Sequence, residues 1–392
     1  MRNTIIDNIR GICMLGVIGI HIGSLALAPN NFTLYCFLEV LSRYSVPAFF
    51  FISGYGLCCT DRTLLSGGKL NYLQFMKKRL QGAGLPYFSW SIFYLIYFWL
   101  ILPPGFISWR PLNVAFVLFF GLACYHLYFM VILLWFYALY PLWRTLLRGI
   151  LRYSIPAGLV LLFAFQLGFN WWTTHPGLDV SQWNVLWKNF FNYRLNYLPL
   201  HYLLIFMSGC LAAVHWDKLL GLLRKYAPGV IALYALSIAW FVGSSYHAFT
   251  YENYSLLDIA NTYHQLSPQG LVYTVCSLLF FCLALDWLER KSQNADTSLI
   301  LRKLQAAITV LSANSMLIYF IHPLILDWLS SLYNYFGIIM TVKKVCFSYV
   351  LLVAGSLLLS MILTKLFARN KYLSLCFTAV SYTHLRAHET RS

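Results

Sequence analysis

Residues 5–28, IIDNIRGICMLGVIGIHIGSLALA, hold an apolar run from Gly11 to Ala28 that only His21 and Ser24 interrupt. A helix needs roughly 20 apolar residues to cross a bilayer, so this run is read as a membrane span. Arg10 breaks the start of the run and no small-residue cleavage site closes it, which predicts a retained signal anchor in place of a cleaved leader. Nine further candidates follow, at 34–59, 84–103, 122–142, 154–171, 198–215, 228–244, 268–287, 305–335 and 346–367. The fold class expected is all-α, a polytopic membrane bundle of about ten transmembrane helices. Span nine is long enough to be tilted, or broken near Asn314.

Composition agrees with that reading. The 392 residues are 60% hydrophobic and 10% charged, against about 25% charged in a soluble domain. The formal net charge of +16 raises the question of nucleic acid. Lys and Arg, however, are sparse and separated by runs of membrane-spanning length, so the excess is loop charge that sets topology. With the N-terminus cytoplasmic, 22 of the 28 Lys and Arg fall in inside segments and five outside, Arg43 lying within a span. Both termini are therefore expected to be cytoplasmic. The ten cysteines sit in or beside apolar runs without CxxC spacing, as small buried hydrophobes do.

Two outside segments, 171–197 and 244–267, are rich in Trp and Tyr. They fit an interfacial aromatic belt or a stacking surface for sugar rings. Residues 1–371 are expected to form one transmembrane domain and 372–392 a truncated end. Within the latter, 381–392 (SYTHLRAHETRS) reads as a foreign tail, so His384 and His388 take no part in the functional reading.

The first span also carries chemistry. Eleven helical steps bring Arg10 and His21 onto nearly one face, about 16 Å apart along the axis. A cation then stands at the inner surface and an imidazole near mid-membrane. Coenzyme A has an anionic nucleotide end and a long neutral arm ending in a thioester, which suits such a pair of groups. Imidazole is also well suited to accept a hydroxyl proton near neutral pH. The plainer alternatives are a topology charge paired with Asp7 for Arg10 and an interhelical hydrogen bond for His21. Ionisable groups in a membrane are costly, which favours function.

Four segments resemble the acyltransferase-3 family of membrane O-acyltransferases. They are IDNIRGICMLGVIGIH (6–21), SRYSVPAFFFISGYGL (42–57), YHLYFMVILLWFYALYPL (125–142) and SMLIYFIHPLIL (315–326), in the family's order and spread over residues 4–371. The nearest likeness is to the enterobacterial common antigen O-acetyltransferase group. The resemblance implies that residues 1–371 form a transmembrane acyltransferase domain in a bacterial inner membrane, embedded among membrane lipids. It implies cytoplasmic acyl-CoA, acetyl-CoA by default, as donor, and a glycan or lipid-linked sugar as acceptor. His21 would be catalytic and Arg10 would bind the donor.

In that frame Arg43, one helical turn after Glu39, either forms an ion pair with it or holds the donor. Ser53, in FISGYG, reads as packing more readily than as a nucleophile, since no GxSxG elbow surrounds it; it stays a substrate-side candidate. Lys78 and Arg79 are donor-phosphate candidates, weakened because Gly82 stands where relatives commonly carry a second arginine. His126 and His322 fall in matching motifs and would orient the acceptor or bridge helices. No HExxH or carboxylate cluster accompanies the histidines, so no metal is expected. Two rivals stay open: a transporter of a glycan or lipid-linked sugar, although no internal repeat is visible, and succinyl-CoA as donor, for which Arg43 is the one cation candidate near His21.

Overall fold

Several long helices turn polar residues inward and apolar residues outward, the reverse of a water-soluble protein. The computed structural model of the chain describes residues 3–175, 177–293 and 298–378. The tail at 381–392 lies outside those residues. In chain order the helices are α1 (Thr4–Ala26), α2 (Phe32–Leu38), α3 (Ser45–Thr60), α4 (Tyr72–Arg79), α5 (Leu85–Ile101) and α6 (Pro111–Phe120). Then come α7 (Tyr128–Ala138), α8 (Tyr140–Tyr153), α9 (Ile155–Thr174), α10 (Val185–Asn192), α11 (Leu203–Val214) and α12 (Trp216–Lys225). The last six are α13 (Ala227–Tyr251), α14 (Leu256–Thr262), α15 (Pro268–Ser292), α16 (Leu299–Tyr335), α17 (Val342–Ala368) and α18 (Lys371–Phe377). Among the described residues there is no strand.

Eight stretches are long and apolar enough to span a bilayer, and two bent pairs, α7–α8 (65°) and α11–α12 (100°), bring the number to ten. The all-α polytopic bundle read from the sequence is thus the fold. α9 buries Leu162, Gln166, Asn170 and Thr173, while Val160 and Leu161 are about 70% exposed. α13 buries Ser237 and Ser245, and α17 buries Ser348, Ser356 and Ser360. Such outward Leu, Val and Phe would be a liability in water and are at ease in lipid. Two of these inward hydroxyls are satisfied within their own helices: Ser245 and Ser348 donate to the carbonyls of Phe241 and Lys344.

Elements differ locally from the sequence reading. The second span is interrupted by a 3₁₀ turn at Val40–Ser42. Pro47 has no N–H to donate to the Arg43 carbonyl, so the regular helix starts afresh at Ser45. Span nine is not broken at Asn314, whose side-chain amide donates back to the Val310 carbonyl and leaves α16 continuous. α6 falls in the connection between the spans expected at 84–103 and 122–142, and at ten residues it is too short to stand out as a span.

The helices form two compact units, Met1–Thr60 with Leu204–Met361, and Asp61–Leu203 with Ile362–Ser392. In the first, α1 approaches its neighbours through glycine. A Cβ at Gly11 would lie 2.7 Å from the Ile308 carbonyl of α16, and one at Gly19 2.7 Å from the Ser42 hydroxyl. α3 and α11 cross backbone to backbone, Gly54 against the Phe206 carbonyl and Gly209 against the Phe51 carbonyl. Small residues at such crossings replace the hydrophobic drive that lipid removes.

In the second unit, Arg144 and Arg148 of α8 hold the 61–68 loop. Arg144 bonds Asp61 at 2.7 Å, Thr63 Oγ1 at 2.8 Å and the Gly68 carbonyl at 2.9 Å. Arg148 donates to the carbonyls of Leu64, Thr63 and Gly68. These residues entered the sequence reading only as topology charges. Gln166, Asn170 and His201 form a second buried polar cluster, with Gln166 Nε2 donating to the Leu200 and His201 carbonyls. α18 is tied to α5 by Trp90, whose Nε1 donates to the Phe377 carbonyl.

Two measurements test this architecture. Gly209→Ala should lower stability in detergent by about 2–3 kcal/mol, because the α3 backbone cannot yield. Gly56→Ala, with open space around it, should stay within about 0.5 kcal/mol. A second test uses pH. Burial pushes the Asp61 carboxyl up, but hydrogen bonds from Thr63 and Arg144 and the Arg144 charge outweigh it and hold it below its ordinary value. Its contribution is therefore complete above the ordinary carboxyl pKa of about 3.9 and is lost as pH falls through the lowered folded value. Thermal melts from pH 7 to pH 3 should show that acid loss in the wild type, and Asp61→Asn should start less stable and lose less.

Candidate functional site

α1 and α16 bring two histidines together in the first unit. The rings of His21 and His322 stack with centroids 5.1 Å apart and planes inclined by 29°. The helices are locked beneath the pair by the Ser312 hydroxyl, which donates to the Asp7 carbonyl, and by Gly11 against α16. His322 is fully buried, and His21 keeps part of its surface accessible. His322 Nδ1 lies 3.1 Å from the Ile318 carbonyl. A carbonyl only accepts, so in the neutral ring the proton sits on Nδ1 and the lone pair on Nε2. The sequence treated the two histidines separately, and the structure makes them one feature.

Arg10, on the same helix as His21, is half-exposed, with Nη1 3.6 Å from Asp7 Oδ1. That loose surface pair leaves the guanidinium able to meet an anion. Arg43 is held much more firmly. Its Nη2 is 2.5 Å from Glu39 Oε1 and 3.2 Å from the Ala260 carbonyl, and Nη1 is 3.1 Å from Gln265 Oε1. Glu39 is buried and Arg43 nearly so, and the Glu39 carboxylate lies against α1 at Gly23, two residues beyond His21. Gln265 was not singled out in the sequence, since nothing local marks a glutamine in a loop as the partner of an arginine 222 residues away. The Ser53 hydroxyl donates to the Phe49 carbonyl one turn back, a bond that engages its proton within its own helix.

The remaining candidates belong to the second unit. Lys78 is exposed, and the Arg79 guanidinium lies over the rings of Phe75 (5.3 Å) and Tyr137 (5.8 Å). Just beyond them Leu80–Gly84, which includes Gly82, forms a π-helical turn, a local irregularity often found at functional positions. His126 is buried in the segment between α6 and α7, edge-on to Tyr94 at 5.6 Å. Among the described residues no group of three His, Cys, Asp or Glu is placed to hold a metal ion.

With that geometry in hand, comparison with family models finds a match to the acyltransferase-3 model, described as an acyltransferase domain, over residues 3–365. Comparison with curated proteins and with solved structures gives no match.

The Arg43 cluster makes a direct stability prediction. Glu39→Gln removes the carboxylate partner of a buried guanidinium and should cost about 3 kcal/mol. The double variant Glu39→Gln/Arg43→Gln should regain part of that loss, measured by thermal unfolding in detergent.

Proposed function

The chain belongs to the acyltransferase-3 family and is a multi-pass membrane acyltransferase, and from that premise we propose that it O-acetylates a carbohydrate. The donor in this reading is acetyl-CoA supplied from the cytoplasm, and the acceptor is a hydroxyl of a cell-surface glycan or lipid-linked sugar at a bacterial inner membrane. Both termini then face the cytoplasm, and the motif likeness to the enterobacterial common antigen O-acetyltransferase group supports an envelope glycan as acceptor. Family membership leaves the transporter alternative without support.

One observation carries the chemistry: His21, a residue with part of its surface accessible, stacks on the fully buried His322 and lies on a helix whose other end bears Arg10. His21 removes the proton from the acceptor hydroxyl as its oxygen attacks the thioester carbonyl. The new C–O bond forms, the C–S bond breaks, and the proton passes from the imidazolium to the departing thiolate, giving ester and free CoA. A water-excluded interior strengthens each electrostatic contact made during that transfer. Arg10 binds anionic parts of the donor. Ser53 is assigned to the acceptor side.

Donor identity is informed by Arg43. Succinyl-CoA carries an extra carboxylate that needs a buried cation, and Arg43 is already matched by Glu39 at 2.5 Å. Acetyl-CoA needs no such partner, which favours it.

The test uses purified full-length chain in proteoliposomes with labelled acetyl-CoA and a panel of envelope glycans. His21→Ala should lower transfer at least about 100-fold, the usual weight of a general base. Equal transfer by the variant would remove His21 from the mechanism, and absence of acetyl transfer by the wild type to any glycan would defeat the acceptor class.

A further inference from the structure

The two stacked imidazoles are not equivalent. His21 keeps accessible surface, and His322 has none. The α16 segment around His322 is buried on every side from Leu317 to Leu324, so nothing reaches its ring except protein. A base that must touch a substrate hydroxyl is therefore His21, and His322 stands behind it.

His322 is also held in place by its own helix. Pro323 lies within α16 and has no N–H to donate into the turn preceding it. The His322 Nδ1–H donates into the same turn, to the Ile318 carbonyl at 3.1 Å. This bond fixes both the tautomer and the plane of the ring. What His322 presents to His21 is then a π face at 5.1 Å and 29°. An aromatic face against a ring that becomes cationic is attractive, and more so away from water.

We propose that His322 is a positioning residue for acyl transfer, a fixed aromatic platform that sets the plane of the His21 ring and stabilises the imidazolium formed when His21 takes the acceptor proton. This rests on the acyl-transfer reading of His21. Its contribution is realised only after the proton has moved, so it acts on kcat and leaves donor binding alone.

Three substitutions separate this role from a structural one. His322→Phe keeps an aromatic face and loses the hydrogen bond to Ile318. His322→Gln keeps an amide donor of similar reach and loses the face, and His322→Ala loses both. Each is prepared as full-length protein in proteoliposomes and assayed with labelled acetyl-CoA and the best glycan acceptor of the wild type. The expected order is Phe above Gln and Ala, with kcat in Gln and Ala reduced about thirtyfold, the size of a desolvated cation–π contact. KM for acetyl-CoA should stay within about twofold of wild type. Gln matching wild type while Phe is impaired would overturn the proposal, because the hydrogen bond would then be what matters. Equal activity in all three would overturn it as well. If His322→Ala fails to fold, the Phe-to-Gln order decides alone. Failure of the wild type to transfer acetyl to any glycan would instead strike the underlying reaction, a separate result.

Discussion

A polar group buried in a membrane span is costly unless it finds its partner within the protein, because the surrounding lipid offers none. That requirement explains features that look unrelated. Serines and threonines of the spans bond carbonyls one turn back. The Arg43 guanidinium collects a carboxylate, an amide and a carbonyl, and Gln166 gathers Asn170 and two carbonyls in one cluster. Helices that have only small residues to offer, such as α3 and α11 at Gly54 and Gly209, instead approach until their backbones touch.

The same requirement decides what the sequence reveals. Hydropathy is a sum over many residues, so ten spans could be read from it, with the bends at Leu139 and His215 left unseen. The helical period put Arg10 and His21 on one face without any tertiary information. The interruption at Val40–Ser42 had a local sign in Pro47, but a proline inside an apolar run is ambiguous, as Pro323 within continuous α16 demonstrates. The stacking of His21 on His322 is a contact between residues 301 positions apart, and no periodicity encodes it. Only the family likeness singled out the two motifs, and it assigned them different roles.

Charge counting shows a related gap. A basic residue near a span end scores for topology whether it floats in solvent or grips a loop. Lys78 is exposed, whereas Arg144 is buried and makes bonds to three residues of the 61–68 loop. The two types score alike in the sequence. They differ only in whether a carboxylate and carbonyls converge on the guanidinium, which is a property of the fold.

The spacing of the Arg43 partners along the chain bears on how the protein enters the membrane. Ribosomes deliver the N-terminal spans first, so Arg43 reaches the bilayer long before Ala260 and Gln265 exist. Glu39 is four residues away and arrives with it, so the segment carries its own counter-ion through the translocon and crosses as a neutral unit. The loop contacts are added afterwards. The ring that stacks on His21 belongs to His322, made 301 residues later, so that pair of imidazoles comes together only when biogenesis is nearly finished.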